Sequence, residues 1–448
     1  MKKIIFSIAF LLSAYNTMAQ KPDLDDPRLA GIELEYVGRD LSKMGAYVYR
    51  DLTYFNLFAS HVVGWNGADG CFSNTLPDGN TFWSFADSFT GMITEYRNRN
   101  RASNLVRNAA MIQTGERSWR DFYQLGEYAS LDPNDRDRYG KMKTWLRHPQ
   151  ASLTQEQIDN GETDSNLLYW ESDGTVVMRD GKPIFQLMWG AVDNTMTSKG
   201  RALTEYSLEG KPGDEGYMKL LNHYTDANLK NQMNGFVMES EDGYTYVYGN
   251  CSNGLGGYPT VARVKDHDLL GTWEYYTATA TTTTFDWRAN LDTTLPVEKL
   301  RISNDWAINY GVFKYGDYYY MVGMGITGGD ITIKQAEHPW GPFTKNYSLF
   351  RIPPEQSVTY GAFVHPQLSR TGEIVVSYNM NPVDITTYSM QTDGTLKEEV
   401  HNGFARNFND RESADLYHSH FIRIFNWQSL YGVQNIGPLE DPNKLLWK

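Results

Sequence analysis

Short stretches rich in aromatic and β-branched residues recur along the chain, and each begins just after a tight turn. These stretches are residues 80–89, 183–190, 244–250, 318–326 and 373–381. The preceding turns contain Gly79, Gly181, Gly243, Gly316 and Gly372. Alternating apolar residues after a glycine turn are typical of β-hairpins, because glycine adopts the positive φ that such turns require. Five comparable hairpins therefore predict five sheets.

Two of these hairpins are followed by segments that resemble each other. DLLGTWEYYT at 268–277 and HPWGPFTKNYSLF at 338–350 both place a glycine, a small residue or proline, and an aromatic residue before another strand. A repeat of this kind is typical of the blades of a β-propeller. We therefore predict an all-β fold, a five-bladed β-propeller, as a single domain over residues 20–448.

One segment departs from the strand pattern. Residues 116–165 are polar and charged, and a fifth of this chain is longer than four short strands require, so we expect an insertion there. Within it, Thr154 and Gln157 have the spacing of a capping box, and Gly161 follows as a stop signal. That combination predicts a short helix. The predicted propeller therefore carries a polar, partly helical insertion.

The first nineteen residues have the pattern of a secretory signal peptide. Lys2 and Lys3 precede an apolar run over residues 4–12, and small residues lead to Ala19. The apolar run is too short to cross a bilayer. We expect cleavage near Ala19 and a periplasmic or extracellular location for the rest of the chain.

The amino-acid composition limits the kinds of molecule that this protein can bind. A hydrophobic fraction of 41% and a charged fraction of 21% are those of a globular protein and exclude wholesale disorder. The formal net charge of -13 repels nucleic-acid phosphates and anionic membranes. The aromatic fraction of 14% suits both β-sheets and clefts that face sugars. We expect a monomer with no nucleic-acid partner and no membrane insertion.

Few residues point to disulfides or metals. Cys71 and Cys251 are the two cysteines, and one disulfide and two free thiols are equal alternatives in an oxidising compartment. His418 and His420 would lie on one face of a strand, but no third ligand is apparent nearby. We therefore predict no cofactor and no metal site, while a structural ion in the propeller channel is left open.

Two aspartates flank the first hairpin. Asp69 lies in a Gly-Ala-Asp-Gly turn, and Asp87 ends the returning strand TFWSFAD. The reversal at Gly79 can bring both carboxylates to the same end of one sheet. Glycoside hydrolysis needs two such acids, one protonated and one ionised. The alternative is that both residues only cap turns, as aspartate often does.

Several segments, taken in order, resemble a known group of proteins. They are GADG (67–70), LPDGNTFWSFADSF (76–89), LVRNAAMI (105–112), YWESDGTVVMRDGKPIF (169–185), YTYVYGN (244–250) with TVARVKDHDLLGTWEYY (260–276), HPWGPF (338–343) and HPQLSRTGEIVVSYNMN (365–381). Together they are similar to secreted bacterial five-bladed propellers related to endo-D-arabinanases and, more distantly, to arabinanases and invertases. The resemblance covers about residues 60–385; the insertion has no counterpart in it.

This resemblance implies a glycosidase that acts on furanose-containing, arabinan-like glycans, with Asp69 and Asp87 as its catalytic pair. As a hypothesis, Asp87 is the protonated acid, because it ends an aromatic strand and would lie in the drier site. Whether the reaction retains or inverts the anomer depends on the distance between the carboxylates.

Further residues are candidates for contact with substrate. Glu171 or Asp173 could supply a third carboxylate, Trp170 could stack on a sugar ring, and Arg107 could donate a hydrogen bond. The candidates for substrate binding are Asn108, Trp170, Glu171, Asp173, Trp189, Asp193, Asn309, Tyr310 and His365. For Glu171 and Asp173 the alternative is a solvated turn, and for Asn108 and His365 it is packing in the core.

Other functions remain open at this stage. The main alternative is a propeller that binds a glycan without cleaving it. A lyase or a sialidase-like propeller would need a cluster of arginines or a tyrosine nucleophile paired with glutamate. The sequence lacks a Gly-x-Ser-x-Gly elbow, a His-Glu-x-x-His motif and a P-loop, so serine hydrolases, zincins and NTPases have no support.

Overall fold

The structure, a computed structural model, describes most of the chain. The described residues are 21–38, 46–114, 122–164, 166–225, 235–251, 257–305, 307, 309–325, 329–353 and 357–447. The signal peptide predicted at residues 1–19 lies outside them and stays a prediction. No helix in the described part is long and apolar enough to cross a membrane.

The N-terminal elements are two strands and a helix: β1 (Leu34–Gly38), β2 (Tyr47–Asp51) and α1 (Leu52–Ala59). Asp51 ends β2 and caps α1, because its carboxylate accepts a hydrogen bond of 2.9 Å from the Tyr54 amide.

The region around the first hairpin forms sheet one and a second, smaller sheet. The strands of this region are β3 (Val63–Ala68), β4 (Phe72–Thr75), β5 (Thr81–Phe85), β6 (Ser88–Met92), β7 (Asn104–Val106), β8 (Ala109–Gln113) and β9 (Phe122–Leu125). Sheet one has the order β4-β5-β8-β9, and β3, β6 and β7 form a small separate sheet. Four residues of the predicted insertion are thus the outermost strand of sheet one, and the irregular part begins after Leu125.

Sheets two, three and four are antiparallel meanders. Sheet two consists of β10 (Leu167–Arg179), β11 (Lys182–Asp193), β12 (Ser198–Leu208) and β13 (Tyr217–Tyr224). Sheet three consists of β14 (Val237–Glu239), β15 (Tyr244–Cys251), β16 (Tyr258–Lys265), β17 (Trp273–Thr277) and β18 (Asp286–Arg288). Sheet four consists of β19 (Asn309–Tyr315), β20 (Tyr318–Met324), β21 (Asp330–Ala336) and β22 (Thr344–Arg351).

Sheet five combines both ends of the chain. Its C-terminal strands are β23 (Ser357–Val364), β24 (Ile374–Pro382) and β27 (Ser419–Phe425), and its order is β1-β2-β27-β24-β23. Between β24 and β27 lie the hairpin β25 (Ile385–Met390) and β26 (Leu396–His401), and then a helix at Gly403–Asn409. The N-terminal strands therefore complete the last sheet.

The remaining helical elements are short. The predicted helix, α2, spans Gln155–Asp159, with the capping box of Thr154 and Gln157 in place. The helix at Gly403–Asn409 is α3. Single 3-10 turns occur at Pro27–Leu29, Val297–Lys299, Pro366–Leu368, Ser413–Asp415, Trp427–Tyr431 and Pro442–Trp447.

Five hydrophobic cores lie between neighbouring sheets and close the sheets into a ring. Phe82 of sheet one packs on Phe185 of sheet two, with ring centroids 4.7 Å apart. Separate cores join sheet two to three, three to four, and four to five. The fifth core joins sheet five back to sheet one, where Phe363 meets Phe72 at 5.0 Å. The protein is therefore an all-β, five-bladed propeller, as predicted.

The innermost strands β4, β10, β14, β19 and β23 contact one another in turn around the axis. Where two innermost strands meet, residues later in one strand contact residues later in the other. Tyr360 of β23 lies beside Asp69, whereas His365, five residues later, lies 2.6 Å from Ser73 of β4. The innermost strands therefore run parallel, and all of them begin at one face of the propeller. We call this face the entrance face.

Both cysteines are free and buried. Of the two alternatives that the sequence left open, the structure therefore shows the pair of free thiols. Burial raises the pKa of the Cys71 thiol to about 12 and that of Cys251 to about 11. Neither thiol is poised to ionise.

Candidate active site

Asp69 and Asp87 lie side by side at the entrance face. Asp69 follows β3 and Asp87 follows β5. The amide of Asp69 donates to the backbone oxygen of Asp87 at 2.9 Å, and the amide of Ala86 donates to Asp69 at the same distance. The expectation that the hairpin brings the two aspartates to one end of the first sheet agrees with this placement.

Two tyrosines from sheet five and its last loop hold the carboxylate of Asp69. The hydroxyl of Tyr360, on β23, donates to Oδ1 of Asp69, and Tyr417 makes a second side-chain hydrogen bond. Burial and the neighbouring carboxylate of Asp87 raise the pKa of Asp69 to about 7, although both tyrosines act in the opposite direction. Asp69 can therefore carry or release a proton near neutral pH.

Asp87 has different partners. Arg107 donates from Nη1 to Oδ2 at 3.1 Å, and the indole of Trp170 donates to Oδ1 at 3.1 Å. Burial raises the pKa of Asp87, whereas the guanidinium of Arg107 and the indole favour the ionised form. Of the two aspartates, Asp87 is the one with a cation beside it.

Glu171, on β10, lies beneath the two aspartates and is only 8% exposed. Its Oε1 packs against Gly70, where a Cβ atom would lie 2.4 Å away. Its Oε2 has no hydrogen-bond partner among the described residues. Burial, together with the charges of Asp69 and Asp87, raises the pKa of Glu171 well above its usual range. These surroundings therefore favour the protonated form of Glu171.

The site thus combines three carboxyl groups in unequal surroundings. One has a cation, one has two phenols, and one has an unpartnered oxygen. Environments that separate the pKa values of neighbouring carboxyls assign acid and base roles to them. The arrangement can therefore supply a proton and a negative charge at the same cleft.

Asp173 belongs to the framework beneath this site. Its carboxylate accepts hydrogen bonds from Asn74 at 2.8 Å, from the amide of Gly174 at 2.9 Å and from the amide of Val237 at 2.8 Å. These donors come from sheets one, two and three. Asp173 is 2% exposed, and we conclude that it ties three innermost strands together rather than touching substrate.

Asn108 and Trp189 were expected to bind substrate, but the structure places both in the core. The Asn108 side chain is fully buried and donates to the backbone oxygens of Leu146 and Tyr169 at 2.8 and 2.9 Å. Trp189 is also fully buried, and its indole donates to Thr204 at 2.7 Å. Their polar atoms are used within the protein, so the expectation was wrong for both.

The same correction applies to Tyr310 and His365. The hydroxyl of Tyr310 is buried and donates to the backbone oxygen of Gly249 at 2.5 Å. The ring of His365 is fully buried between the hydroxyls of Ser73 at 2.6 Å and Ser377 at 2.8 Å. Both side chains fix neighbouring strands and are out of reach of a ligand.

Asp193 and Asn309 lie near the entrance face without joining the cluster. The carboxylate of Asp193 caps the turn after β11 by accepting from the amides of Thr195 and Thr197, and it pairs with Lys199 at 2.9 Å. Asn309 is the first residue of β19 and is partly exposed.

The two histidines of the HSH segment are buried among aromatic rings. His420 stacks on Tyr378 at 5.5 Å, and both His418 and His420 lie 5.3 Å from the ring of Phe55. Within the described part of the chain, no three or more His, Cys, Asp or Glu side chains are arranged so that they could hold a metal ion.

Tyr360 and Tyr417 are site residues that the sequence did not reveal. Each is distant from Asp69 along the chain, and the sequence contains 30 tyrosines. The residue type therefore carries no signal by itself. Only the closure of sheet five against sheet one brings these two hydroxyls to the site.

One family model matches most of the chain. The model, described as a domain of unknown function (DUF5005), matches residues 51–427, which is most of the sequence. The chain belongs to the DUF5005 family. All three carboxyls of the site and both tyrosines lie within the segment matched by the DUF5005 model.

The solved structures that are similar to this chain include a bacterial protein. A candidate hydrolase from Bacteroides ovatus ATCC 8483 is 35% identical to this DUF5005 chain over 94% of the chain and 99% of its own, with a TM-score of 0.78. Among curated proteins, none matches.

Two structures are more distant. An exo-β-1,3-galactanase from Phanerochaete chrysosporium is 9% identical over 81% of this chain and 63% of its own, with a TM-score of 0.38. A β-xylosidase/α-arabinofuranosidase from a compost microbial metagenome is 12% identical over 75% and 94%, with a TM-score of 0.38. Both TM-scores are below 0.5. The five-bladed fold therefore follows from the sheets and cores of this chain alone.

Proposed function

We propose that this protein is a glycoside hydrolase and that Asp69 and Asp87 are its catalytic pair. The observation that carries the proposal is the meeting of three carboxyl groups in unequal surroundings at the entrance face of the propeller. Glycosidic bonds are cleaved by paired carboxyls of which one is protonated and the other ionised. The similarity to a candidate hydrolase supports this reaction class.

The surroundings of the two aspartates reverse the roles suggested by the sequence. Asp87 accepts hydrogen bonds from Arg107 and Trp170, which favour its carboxylate, so it is the ionised partner. Asp69, with a pKa of about 7, is the proton donor. In this assignment Asp69 protonates the leaving glycosidic oxygen, while Asp87 attacks the anomeric carbon or takes a proton from the attacking water.

Glu171 has a supporting role in this mechanism. Burial favours its protonated, uncharged form, which adds no third negative charge beneath Asp69 and Asp87. Its uncharged state limits the electrostatic cost of ionising Asp87 next to it.

The proposed substrate is a furanose-containing, arabinan-like glycan, which rests on the resemblance of the sequence motifs to endo-D-arabinanase propellers. Export to the periplasm or the extracellular space, where such polymers occur, rests on the N-terminal signal pattern. We further propose that the chain acts as a monomer, since one chain supplies every group of the site.

Product analysis by chromatography tests the proposal. The protein and its Asp69→Asn and Asp87→Asn variants are incubated with arabinans, fructans and mixed furanose glycans. We expect the unmodified protein to release oligosaccharides and both variants to lose activity by at least about a hundredfold. Asp193→Asn is the matched control, because its carboxylate caps a turn near the same face, and it should retain activity.

Two outcomes would contradict the proposal. Release of sugar that is equal in all three proteins would exclude the aspartate pair. No release from any glycan, combined with a rise of the melting temperature in the presence of one of them, would instead establish the glycan-binding propeller that the sequence left as an alternative.

A further inference from the structure

Arg99 is a buried cation near the candidate site, and it has no use in the mechanism above. It lies between β6 and β7 and is 1% exposed. Its Nε donates to Oδ1 of Asn66 at 3.0 Å, and Nη1 donates to Oδ1 of Asn407 at 2.9 Å. Nη2 donates to the backbone oxygens of Asn66, Ala414 and Tyr417 at 3.0, 3.2 and 3.1 Å.

All these partners of Arg99 are neutral. Within the described residues it forms no ion pair, although its guanidinium lies 4.3 Å from the centre of the Phe89 ring. Burial without a counter-ion is costly and lowers the pKa of Arg99 to about 9. A cation kept at this cost indicates a specific structural requirement at its position.

The contacts of Arg99 join two segments that meet at the catalytic aspartates. Asn66 lies three residues before Asp69, and Asn407 and Ala414 lie in the segment that leads to Tyr417. The two segments approach so closely that a Cβ atom at Gly67 would lie 2.1 Å from the backbone oxygen of Tyr417. Arg99 therefore fixes the backbone of Tyr417 relative to the strand that carries Asp69.

The Tyr417 side chain extends from this fixed backbone to both aspartates. Its hydroxyl donates to the backbone oxygen of Asp87 at 3.1 Å and lies within hydrogen-bond reach of the Asp69 carboxyl, where it lowers the pKa of that group. The Tyr417 ring is 4% exposed and packs edge-on against Phe89, so it has little freedom to adjust if its backbone moves.

We propose that Arg99 is a positioning residue that holds the Tyr417 hydroxyl against Asp69 and Asp87. The proposal rests on the proposed function in one respect, since it takes these aspartates as the reacting pair. It predicts that loss of Arg99 acts on the site through Tyr417 rather than through general loss of stability.

Titration of the Asp69 carboxyl tests this link without any substrate. The carboxyl is followed by 13C NMR in the unmodified protein and in Arg99→Met, Arg99→Lys, Tyr417→Phe and the double variant, and Asp69→Asn assigns the signal. The Tyr417 hydrogen bond lowers the pKa of Asp69. We therefore expect Tyr417→Phe and Arg99→Met each to move the titration midpoint to higher pH. The double variant should move it no further than Tyr417→Phe alone, because both changes remove one interaction.

Kinetics provide a second readout. With a cleavable glycan, Arg99→Met should lower kcat about tenfold, because the proton donor loses its orientation, and should change KM less than about twofold. Arg99→Lys should recover part of kcat, since lysine can donate to the same backbone oxygens. Arg101→Met is the matched control, because Arg101 is exposed two residues away, and it should leave kcat and the midpoint unchanged.

The proposal is overturned if Arg99→Met keeps the Asp69 midpoint and kcat of the unmodified protein. It is also overturned if the shift of Arg99→Met adds fully to that of Tyr417→Phe. Should Arg99→Met fail to fold, Asn407→Ala removes one partner of Arg99 and must then shift the midpoint in the same direction. Midpoint shifts as expected in a protein that cleaves no glycan would contradict the proposed function and leave the positioning role intact.

Discussion

At the scale of single residues, the tyrosines around Asp69 set the pH dependence of the proposed reaction. A proton donor with a pKa of about 7 loses its proton as pH rises, so kcat/KM should fall above about pH 7. The Tyr360 hydrogen bond lowers that pKa, so Tyr360→Phe should move the alkaline limb of the profile to higher pH. A bond to a charged group contributes about 1.5 kcal/mol, which corresponds to a shift of about one pH unit. An alkaline limb that stays unchanged in Tyr360→Phe would show that Asp69 is not the proton donor. Tyr96 is an exposed tyrosine, and Tyr96→Phe is the control.

Substrates with poor and with good leaving groups distinguish the roles of the two aspartates. If Asp69 is the donor, Asp69→Asn should cost about a hundredfold or more in kcat on natural glycans and much less on nitrophenyl glycosides, whose leaving group needs no proton. Asp87→Asn should impair both substrates by similar factors, because attack at the anomeric carbon is common to them. Steady-state rates on matched natural and aryl substrates measure this difference. The opposite pattern would restore the assignment first drawn from the sequence, with Asp87 as the donor.

The sequence predicted the site residues that lie close to the first hairpin. It did not predict those that reach the site only when sheet five closes against sheet one. A glycine turn fixes the separation of Asp69 and Asp87, so their proximity follows from the local sequence. Trp170 and Glu171 were candidates for substrate contact, and both lie against the pair: the indole donates to Asp87, and the charges of both aspartates raise the pKa of Glu171. Their contact with substrate stays a prediction. In contrast, Trp189, Tyr310 and His365 resemble ligand-binding residues by type, and only their burial shows that they pack in the core.

At the scale of elements, the turn between β3 and β4 controls the fit of the three carboxyls. Gly70 has a φ of +72° and lies against Oε1 of Glu171, so Gly70→Ala introduces both backbone strain and a collision. Gly79 has a similar φ of +83° with no atom within 4 Å of a Cβ, and Gly79→Ala is the matched control. We expect each variant to lose about 1 kcal/mol of unfolding free energy through the strained φ.

Activity separates these two variants. Only Gly70→Ala should lower kcat, by about tenfold or more, since it displaces Glu171 beneath the aspartates. Urea unfolding and steady-state rates measure both effects. Equal activity in the two alanine variants would mean that the contact between Gly70 and Glu171 has no part in the reaction.

The sequence pattern that predicted the fold lies in the second strand of each blade, counted from the propeller axis. Each of the five predicted stretches contains or overlaps the second strand of one sheet, namely β5, β11, β15, β20 and β24. These strands are buried on both faces by the neighbouring sheets, which explains their dense apolar pattern. Strand β9 is only four residues long and lies in a stretch that is otherwise polar and charged, so Phe122–Leu125 was assigned to the insertion. The pairing of β2 with β27 joins distant segments and leaves no local pattern.

At the scale of the whole molecule, a buried ion cluster joins the two ends of the ring. Arg423 on β27 contacts Asp51 at the end of β2 and Glu373 before β24, and all three side chains are fully buried. Removal of the cation would leave two buried carboxylates without a counter-ion, which typically costs about 3 to 5 kcal/mol. We therefore expect Arg423→Met to lower the unfolding free energy by about that amount, measured by urea unfolding. The exposed pair of Lys182 and Glu209 is the control, and Lys182→Met should leave the midpoint unchanged. If Arg423→Met is as stable as the unmodified protein, the N-terminal strands do not depend on this cluster, and packing alone closes the propeller.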